Sequence, residues 1–197
     1  MRLFIALPVP EPLRTHLVSL QESLRLAGVK GKFTSREQLH LTVLFLGEGT
    51  EAQAMALGES LVPIAAATPA LALEFETVRA FRLPPTLLFA DFREPAGRFP
   101  ELHRACAGAA TAAGFSPDLG KEAVPHATLL RFRSPAESRI LQSLVTIDHG
   151  RWEWELPAFA TRQPPARFDR LVLFASTLTP AGPIHQEMQS LALGGGN

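Results

Sequence analysis

The spacing of apolar and polar positions along the 197 residues predicts strands and helices in irregular alternation. Residues 2–8 form a compact apolar run that indicates a buried strand. The segment 13–24 carries leucines at three- and four-residue intervals, as the buried stripe of a helix does, and Gly28 marks its end. The same criteria predict further strands at about 39–46, 71–81, 86–92, 127–132, 152–156 and 170–176, and helices at about 51–67, 100–114, 135–144 and 183–191.

The turns between neighbouring predicted strands are short, and Pro84-Pro85 is a typical turn signal. Short turns join antiparallel strands, whereas parallel strands need long crossover connections. The sequence therefore predicts an α+β fold with a mostly antiparallel sheet and helices outside it. Pro63 is expected to end or kink the helix predicted over 51–67. No glycine-rich dinucleotide or P-loop motif is present in the sequence.

The tripeptide His-x-Thr occurs twice, each time within or at the start of an apolar run that reads as a strand. His40 and Thr42 belong to HLTVLFLG, and His126 and Thr128 belong to PHATLLRF. Side chains two positions apart in a strand point to the same face. Each motif therefore presents one imidazole beside one hydroxyl.

Two such pairs facing each other would supply a general acid, a general base and two neutral hydrogen-bond donors. Imidazole titrates near neutral pH, so one ring can donate a proton while the other accepts one. The threonine hydroxyls can donate to phosphate oxygens on which charge develops. This set suits the opening of a phosphate ester, and it makes His40, Thr42, His126 and Thr128 the candidate site residues.

Phe45 and Arg131 each follow the histidine of their motif by five positions. Strict alternation would turn both away from the imidazoles, which favours a core role for Phe45 and a surface role for Arg131. A bulge or a twist would instead bring Phe45 round to stack on a base and Arg131 to hold a phosphate. Spacing alone leaves both interpretations open.

Composition narrows the classes of function. The chain is 46% hydrophobic and 19% charged with a formal net charge of zero, so it indicates a globular domain without a broad polyanion-binding field. A single cysteine, Cys106, excludes an intramolecular disulfide, and the histidines lack metal-ligand spacing. We find neither a secretory leader nor an apolar run of membrane-spanning length, and therefore expect a soluble, cytoplasmic protein without a metal site.

These motifs identify a resemblance to the two-histidine (2H) phosphoesterases, specifically the bacterial RNA 2′,3′-cyclic phosphodiesterases, also called 2′-5′ RNA ligases. LHLTVLFLGE and PHATLLRF resemble the two signatures of that family, MRLFIALPVPEPLRTHL resembles its opening strand and helix, and LVLFASTLTPAGPIH resembles its closing strand and turn. The resemblance implies one domain over residues 1–193 with two pseudo-symmetric lobes facing each other across a central cleft. The last four residues, 194–197, are predicted to be a flexible tail.

The resemblance also implies an activity and roles for residues. The reaction would hydrolyse a terminal 2′,3′-cyclic phosphate on RNA to a 2′-phosphate, with 2′-5′ joining as its reverse. His40 would be the acid, His126 the base, and Phe45 would pack on the terminal base, with the phosphate bound by Thr42, Thr128 and Arg131. No metal, organic cofactor or ATP is implied, and the expected partners are RNA 3′ ends, including tRNA fragments, bound by a monomer.

Two alternatives remain at this point. One is a 2H phosphoesterase for small nucleotide cyclic phosphates or 2′-5′-linked oligonucleotides. The other is a catalytically silent RNA-binding module in which the motifs serve only stacking and binding. The resemblance does not decide which histidine is the acid, and it leaves the favoured direction of the reaction open.

Overall fold

The protein is described by a computed structural model that covers residues 1–80, 86–118, 123–139, 154–156, 163–179 and 182–194. The strands are β1 (Arg2–Pro8), β2 (Lys32–Phe33), β3 (His40–Glu48), β4 (Leu71–Ala80), β5 (Leu87–Arg93), β6 (His126–Arg131), β7 (Trp154–Leu156), β8 (Ala166–Phe168), β9 (Arg170–Thr179) and β10 (Gly182–Ala192). The helices are α1 (Glu11–Leu26), α2 (Glu51–Ala67), α3 (Arg98–Ala112) and the short α4 (Pro135–Ser138), with a 3₁₀ turn at Arg36–Gln38.

All ten strands belong to one curled sheet in the order β10-β9-β1-β3-β6-β5-β4-β7, with β2 beside β6 and β8 beside β4. Every pairing between these strands is antiparallel, so the predicted α+β class and mostly antiparallel sheet are confirmed. The first half of the sheet (β10-β9-β1-β3) and the second half (β6-β5-β4-β7) meet where β3 pairs with β6. One register pair, Leu41 with Ala127, joins the two halves there.

The main core lies between the sheet and the helices α1, α2 and α3. The predicted stripe of α1 is confirmed, because Leu13, Leu17, Leu20 and Leu24 are all buried. Burial of one leucine side chain is worth about 1.5–3 kcal/mol, so this stripe holds α1 on the sheet. A smaller cluster lies on the other side of the sheet, which we call the open face, and consists of Phe4, Ala6, Val172 and Phe174.

Helix α2 continues past Pro63 to Ala67, so the prediction that the helix ends at that residue was wrong. Pro63 lies on the exposed side of the helix, where water can satisfy the carbonyl that loses its partner. The buried residues Leu57, Leu61 and Ala65 hold both ends of the helix on the core. Tertiary packing therefore outweighs the local cost of the proline.

The predicted helix over 183–191 was also wrong, because these residues belong to strand β10. The segment is rich in the helix formers Gln, Glu, Met and Leu, which explains the prediction. β10 pairs with β9 from Gly182 to Ala192, and the backbone hydrogen bonds of this long hairpin override the local propensity. β10 is an edge strand, where Pro183 is tolerated.

The chain end departs from the predicted tail at its first residue. The Gly194 amide donates to the carbonyls of Ala65 and Thr68 at 2.7 and 2.8 Å, so the prediction of a flexible tail from 194 was wrong at that position. Residues 195–197, the predicted turn at 84–85 and residues 140–144 of the helix predicted over 135–144 lie outside the described residues. The same holds for the side chains of the predicted strand over 152–156.

Candidate active site

The pairing of β3 with β6 brings the two His-x-Thr motifs side by side. Leu41 and Ala127, the central residues of the motifs, are opposite each other and completely buried on the helix side of the sheet. The flanking histidines and threonines have the opposite parity and are half-buried on the open face. One backbone register therefore aims two imidazoles and two hydroxyls in the same direction.

The antiparallel register also fixes which groups are neighbours. One step from the Leu41–Ala127 pair in either direction, His40 faces Thr128 and Thr42 faces His126. The two histidines are thus diagonal neighbours, a relation that separates residues by roughly 7–8 Å.

Each motif strand carries a bulge at the same place. The register between β1 and β3 shifts by one residue at Val43, and the register between β5 and β6 shifts by one residue at Leu129. Both positions come three residues after the motif histidine. In each strand, the bulged residue and the next one are both buried, which marks the reversal of the alternation.

These bulges decide the two positions that spacing left open. Beyond each bulge the parity is inverted, so Phe45 and Arg131 return to the open face with the histidines. The Phe45 ring lies 6.2 Å from the Phe4 ring and is 67% exposed. Arg131 is exposed, and its positive charge acts on both His40 and His126. Strict alternation, which favoured a core Phe45, therefore gave the wrong orientation.

Both histidines are oriented by the same kind of backbone contact. His40 Nδ1 lies 2.7 Å from the Gln38 carbonyl oxygen, and His126 Nδ1 lies 2.9 Å from the Val124 carbonyl oxygen. A carbonyl can only accept, so Nδ1 carries the hydrogen in each ring. Proton exchange with a substrate therefore takes place at Nε2 in both rings, which carries a lone pair in the neutral ring and a hydrogen in the protonated one.

The surroundings lower the pKa of both imidazoles. The pKa of His40 is lowered to about 4, chiefly by burial. The bond to the Gln38 carbonyl opposes this shift, and the charges of His185, His126 and Arg131 add to it. Burial and the charge of Arg131 also lower the pKa of His126. Both rings are consequently neutral at pH 7 in the protein by itself.

Aromatic rings concentrate beside His40. The buried Phe4 ring is the centre of this group, which we call the Phe4 cluster. The rings of His40 and His185 lie 5.0 and 4.9 Å from it, and Phe174 stacks on it at 5.0 Å with an interplanar angle of 14°. The exposed Phe45 completes the cluster, so this half of the open face is flat and apolar.

The half of the open face beside His126 is different in character. The Phe89 ring contacts His126 edge-on at 5.4 Å, and beyond it Arg79 Nε and Asp91 Oδ2 form a nearly buried ion pair at 2.8 Å. Asp91 stands opposite His126 in the register of β5 and β6. Burial raises the pKa of Asp91 to about 6 although the Arg79 charge opposes this shift. The two halves of the site therefore differ in polarity.

Sequence reasoning missed His185. Its ring is 5.5 Å from the His40 ring at 87°, but the segment was predicted to be helical, so the residue had no expected position near the motifs. A signal was present, since Pro180-Ala181-Gly182 follows an apolar strand and is typical of a hairpin turn.

Two classes of site find no support in the described parts of the chain. The described residues contain no group of three or more histidine, cysteine, aspartate or glutamate side chains placed to hold a metal ion. Among those same residues, none of the helices combines the length and the apolarity that a membrane crossing needs.

The chain is similar to known proteins in both sequence and structure. Residues 7–89 match the family described as LigT like Phosphoesterase. A relative from Thermus thermophilus, named RNA 2′,3′-cyclic phosphodiesterase, is 31% identical over 214 residues, which cover 99% of this chain and 91% of the relative. The crystal structure of TT0787, also from Thermus thermophilus, has a TM-score of 0.72 at 25% identity, with full coverage of both chains.

A third similarity concerns the fold alone. The crystal structure of Escherichia coli LigT complexed with 3′-AMP has a TM-score of 0.67 at 21% identity and covers 98% of this chain and 96% of that one. Together with the other matches, it places the curled sheet and its helices in a known architecture.

Proposed function

This chain belongs to the LigT-like phosphoesterases, the 2H family, and we propose that it hydrolyses the 2′,3′-cyclic phosphate at the 3′ end of RNA to a 2′-phosphate. The observation that carries the proposal is the pairing of Leu41 with Ala127, which sets two imidazoles and two hydroxyls on one face. The name of the Thermus thermophilus relative and the family membership agree with this substrate class.

In the proposed reaction, His126 acts as the general base. Its Nε2 takes a proton from a water molecule, whose oxygen forms a bond to phosphorus. The bond between phosphorus and the ribose 3′ oxygen breaks, and His40 Nε2–H donates its proton to that oxygen. The carbonyls of Gln38 and Val124 keep both rings in the required orientation throughout.

The assignment of the acid rests on the asymmetry of the open face. The leaving oxygen belongs to the nucleoside, and flat apolar surfaces suit a nucleoside. The Phe4 cluster adjoins His40, whereas the surroundings of His126 include a buried ion pair. His40 is therefore the ring beside the leaving group. Joining through a 2′-5′ bond follows the same steps with the 5′-hydroxyl of a second RNA in place of the water molecule: its oxygen bonds to phosphorus, His126 takes its proton, and the bond to the 3′ oxygen breaks.

The remaining candidates bind the substrate. The hydroxyls of Thr42 and Thr128 donate to the non-bridging phosphate oxygens, and Arg131 neutralises the phosphate charge. The exposed ring of Phe45 stacks on the terminal base. Both imidazoles are neutral in the protein alone. The negative charge of a bound phosphodiester favours the protonated form of His40, which then carries the Nε2 proton that it donates.

The activity can be tested with purified protein treated with EDTA. The substrates are a short RNA that ends in a 2′,3′-cyclic phosphate and the corresponding cyclic mononucleotides. We expect the RNA to be converted to a product with a 2′-phosphate, identified by mass spectrometry and by coelution with a 2′-phosphate standard and not with its 3′-phosphate isomer. Turnover of the mononucleotides alone would favour the small-substrate alternative, and binding without turnover would favour the RNA-binding module.

Arg131→Gln is expected to raise KM about 10-fold or more, because a charge-assisted bond to the phosphate is lost. The same change removes a positive charge that lowers the pKa of His40 and His126, so both values rise. The maximum of kcat/KM, which we expect below pH 6.5 in the unaltered protein, then moves to higher pH. Arg133→Gln, two residues further along the chain, is the matched control. An unmoved pH profile in the Arg131 variant would contradict the placement of this charge.

A further inference from the structure

The hairpin formed by β9 and β10 turns back over the open face. In the register of the sheet, His185 is level with Ser176 and Arg2, whereas His40 is level with Pro8. Arg2 and Pro8 are six residues apart, which is roughly 20 Å along a straight strand. The rings of His185 and His40 are nevertheless 5.5 Å apart, so the end of the hairpin curls back to the first motif.

Contacts at the tip hold the hairpin in this position. Gln38 Nε2 donates to the Pro183 carbonyl at 2.6 Å, and Gln38 is also the residue whose carbonyl orients His40. The side chain of Lys32 lies against Gly182, where an added Cβ would be 1.6 Å from Nζ. The φ of +126° at Gly182 also excludes most side chains. Gln38 therefore holds both the His40 ring and the tip of the hairpin in place.

The two nitrogens of the His185 ring have different surroundings. Nδ1 is enclosed and has no hydrogen-bond partner among the described residues. A buried donor without an acceptor is rarer than a buried lone pair without a donor, so the hydrogen sits on Nε2. The residue as a whole is half-buried, and of its two ring nitrogens only Nδ1 is enclosed without a partner among the described residues. Burial lowers the pKa of His185, so this single N–H persists at neutral pH.

We propose that His185 is a substrate-binding residue that donates a hydrogen bond from Nε2 to an acceptor atom of the terminal nucleoside. This inference rests on the proposed function, in which His40 gives its proton to the ribose 3′ oxygen. A ring edge-on to His40 at 5.5 Å is within contact of that ribose and its base. Phe4 supports both rings from below, and the curled hairpin forms the outer wall of the nucleoside site.

The test compares the binding of two probes by isothermal titration calorimetry. Adenosine 2′-monophosphate carries the nucleoside and the phosphate, and inorganic phosphate carries only the latter. His185→Phe keeps a ring against Phe4 and removes both nitrogens, so we expect about fivefold weaker binding of the nucleotide and binding of phosphate unchanged within twofold. His185→Gln, whose amide can occupy the place of Nε2, is expected to recover most of the affinity.

His103→Phe on α3 is the matched control and is expected to leave both affinities unchanged. In kinetics, His185→Phe should raise KM for the RNA with kcat within about twofold. Equal nucleotide affinity in His185→Phe and the unaltered protein would overturn the inference, as would an equal loss for both probes or no binding of the nucleotide to the unaltered protein. The binding test does not depend on turnover, so a protein that binds through His185 but does not hydrolyse the RNA would refute the proposed function alone.

Discussion

His40→Ala and His126→Ala are each expected to reduce kcat for the cyclic phosphate by about 10²–10⁴-fold, the usual contribution of a positioned acid or base. A backbone carbonyl fixes Nδ1 of each ring and leaves Nε2 for proton exchange, so truncation of either ring removes the acid or the base. Single-turnover kinetics with the RNA substrate measure the effect on the chemical step. The double variant should be little slower than either single one, because the two rings act as a unit.

Two further variants separate proton transfer from packing. His40→Asn and His126→Asn keep a polar side chain of moderate size, and they should be as slow as the alanine variants because an amide cannot exchange a proton. His103→Ala, on the helix side of the molecule, should retain full activity. Retention of normal turnover in any of the His40 or His126 variants would exclude the scheme with two imidazoles.

Asp91→Ala is expected to lower the free energy of unfolding by about 3–5 kcal/mol, the usual cost of removing one member of a buried ion pair. The side chains of Arg79 and Asp91 are only 13% and 6% exposed, so the guanidinium would remain buried without its carboxylate. Urea denaturation at pH 7 measures the change. The matched control is Glu74→Ala, which breaks an exposed ion pair with Arg93 on the same two strands and should cost less than about 1 kcal/mol. Similar losses of unfolding free energy in the two variants would mean that burial does not set the contribution of these ion pairs to stability.

The pKa of Asp91 adds a dependence on pH. Its value of about 6 in the folded protein is above the ordinary 3.8, so the folded state retains the proton where the unfolded chain has released it. The stability that the protonated carboxyl contributes is fully present below pH 3.8 and is lost as the pH rises through 6. Asp91→Asn cannot titrate there. From pH 4 to pH 7 the unaltered protein should therefore lose about 2 kcal/mol of stability relative to that variant, and a constant difference would refute this expectation.

The sequence was sufficient for the fold class and for the common direction of the four candidate residues in the two motifs. Alternating parity within each motif is local information, and it gave the common direction of His40 with Thr42 and of His126 with Thr128. The buried face of α1 could be predicted in the same way, because its leucines follow the helical period. These features depend only on the spacing of residues within one element.

The features that sequence reasoning missed depend on partners distant in the chain. The bulges at Val43 and Leu129 appear only in the register with β1 and β5, and they reversed the expected orientation of Phe45. β10 is a strand because β9 pairs with it, despite residues that favour a helix. His185 could be assigned to the site only after the curl of that hairpin was known. The orientation of Phe45 and the position of His185 therefore depend on long-range strand pairing and not on local propensity.

The narrow contact between β3 and β6 has a consequence for how the protein matures during synthesis. His126 follows His40 by 86 positions, so in a nascent chain β3 is an unpaired edge strand until β6 has been translated. Unpaired edge strands can pair with other polypeptides. The two motif imidazoles come together only when β6 pairs with β3. A truncated chain that ends before β6 would carry one of these imidazoles and an unpaired edge strand.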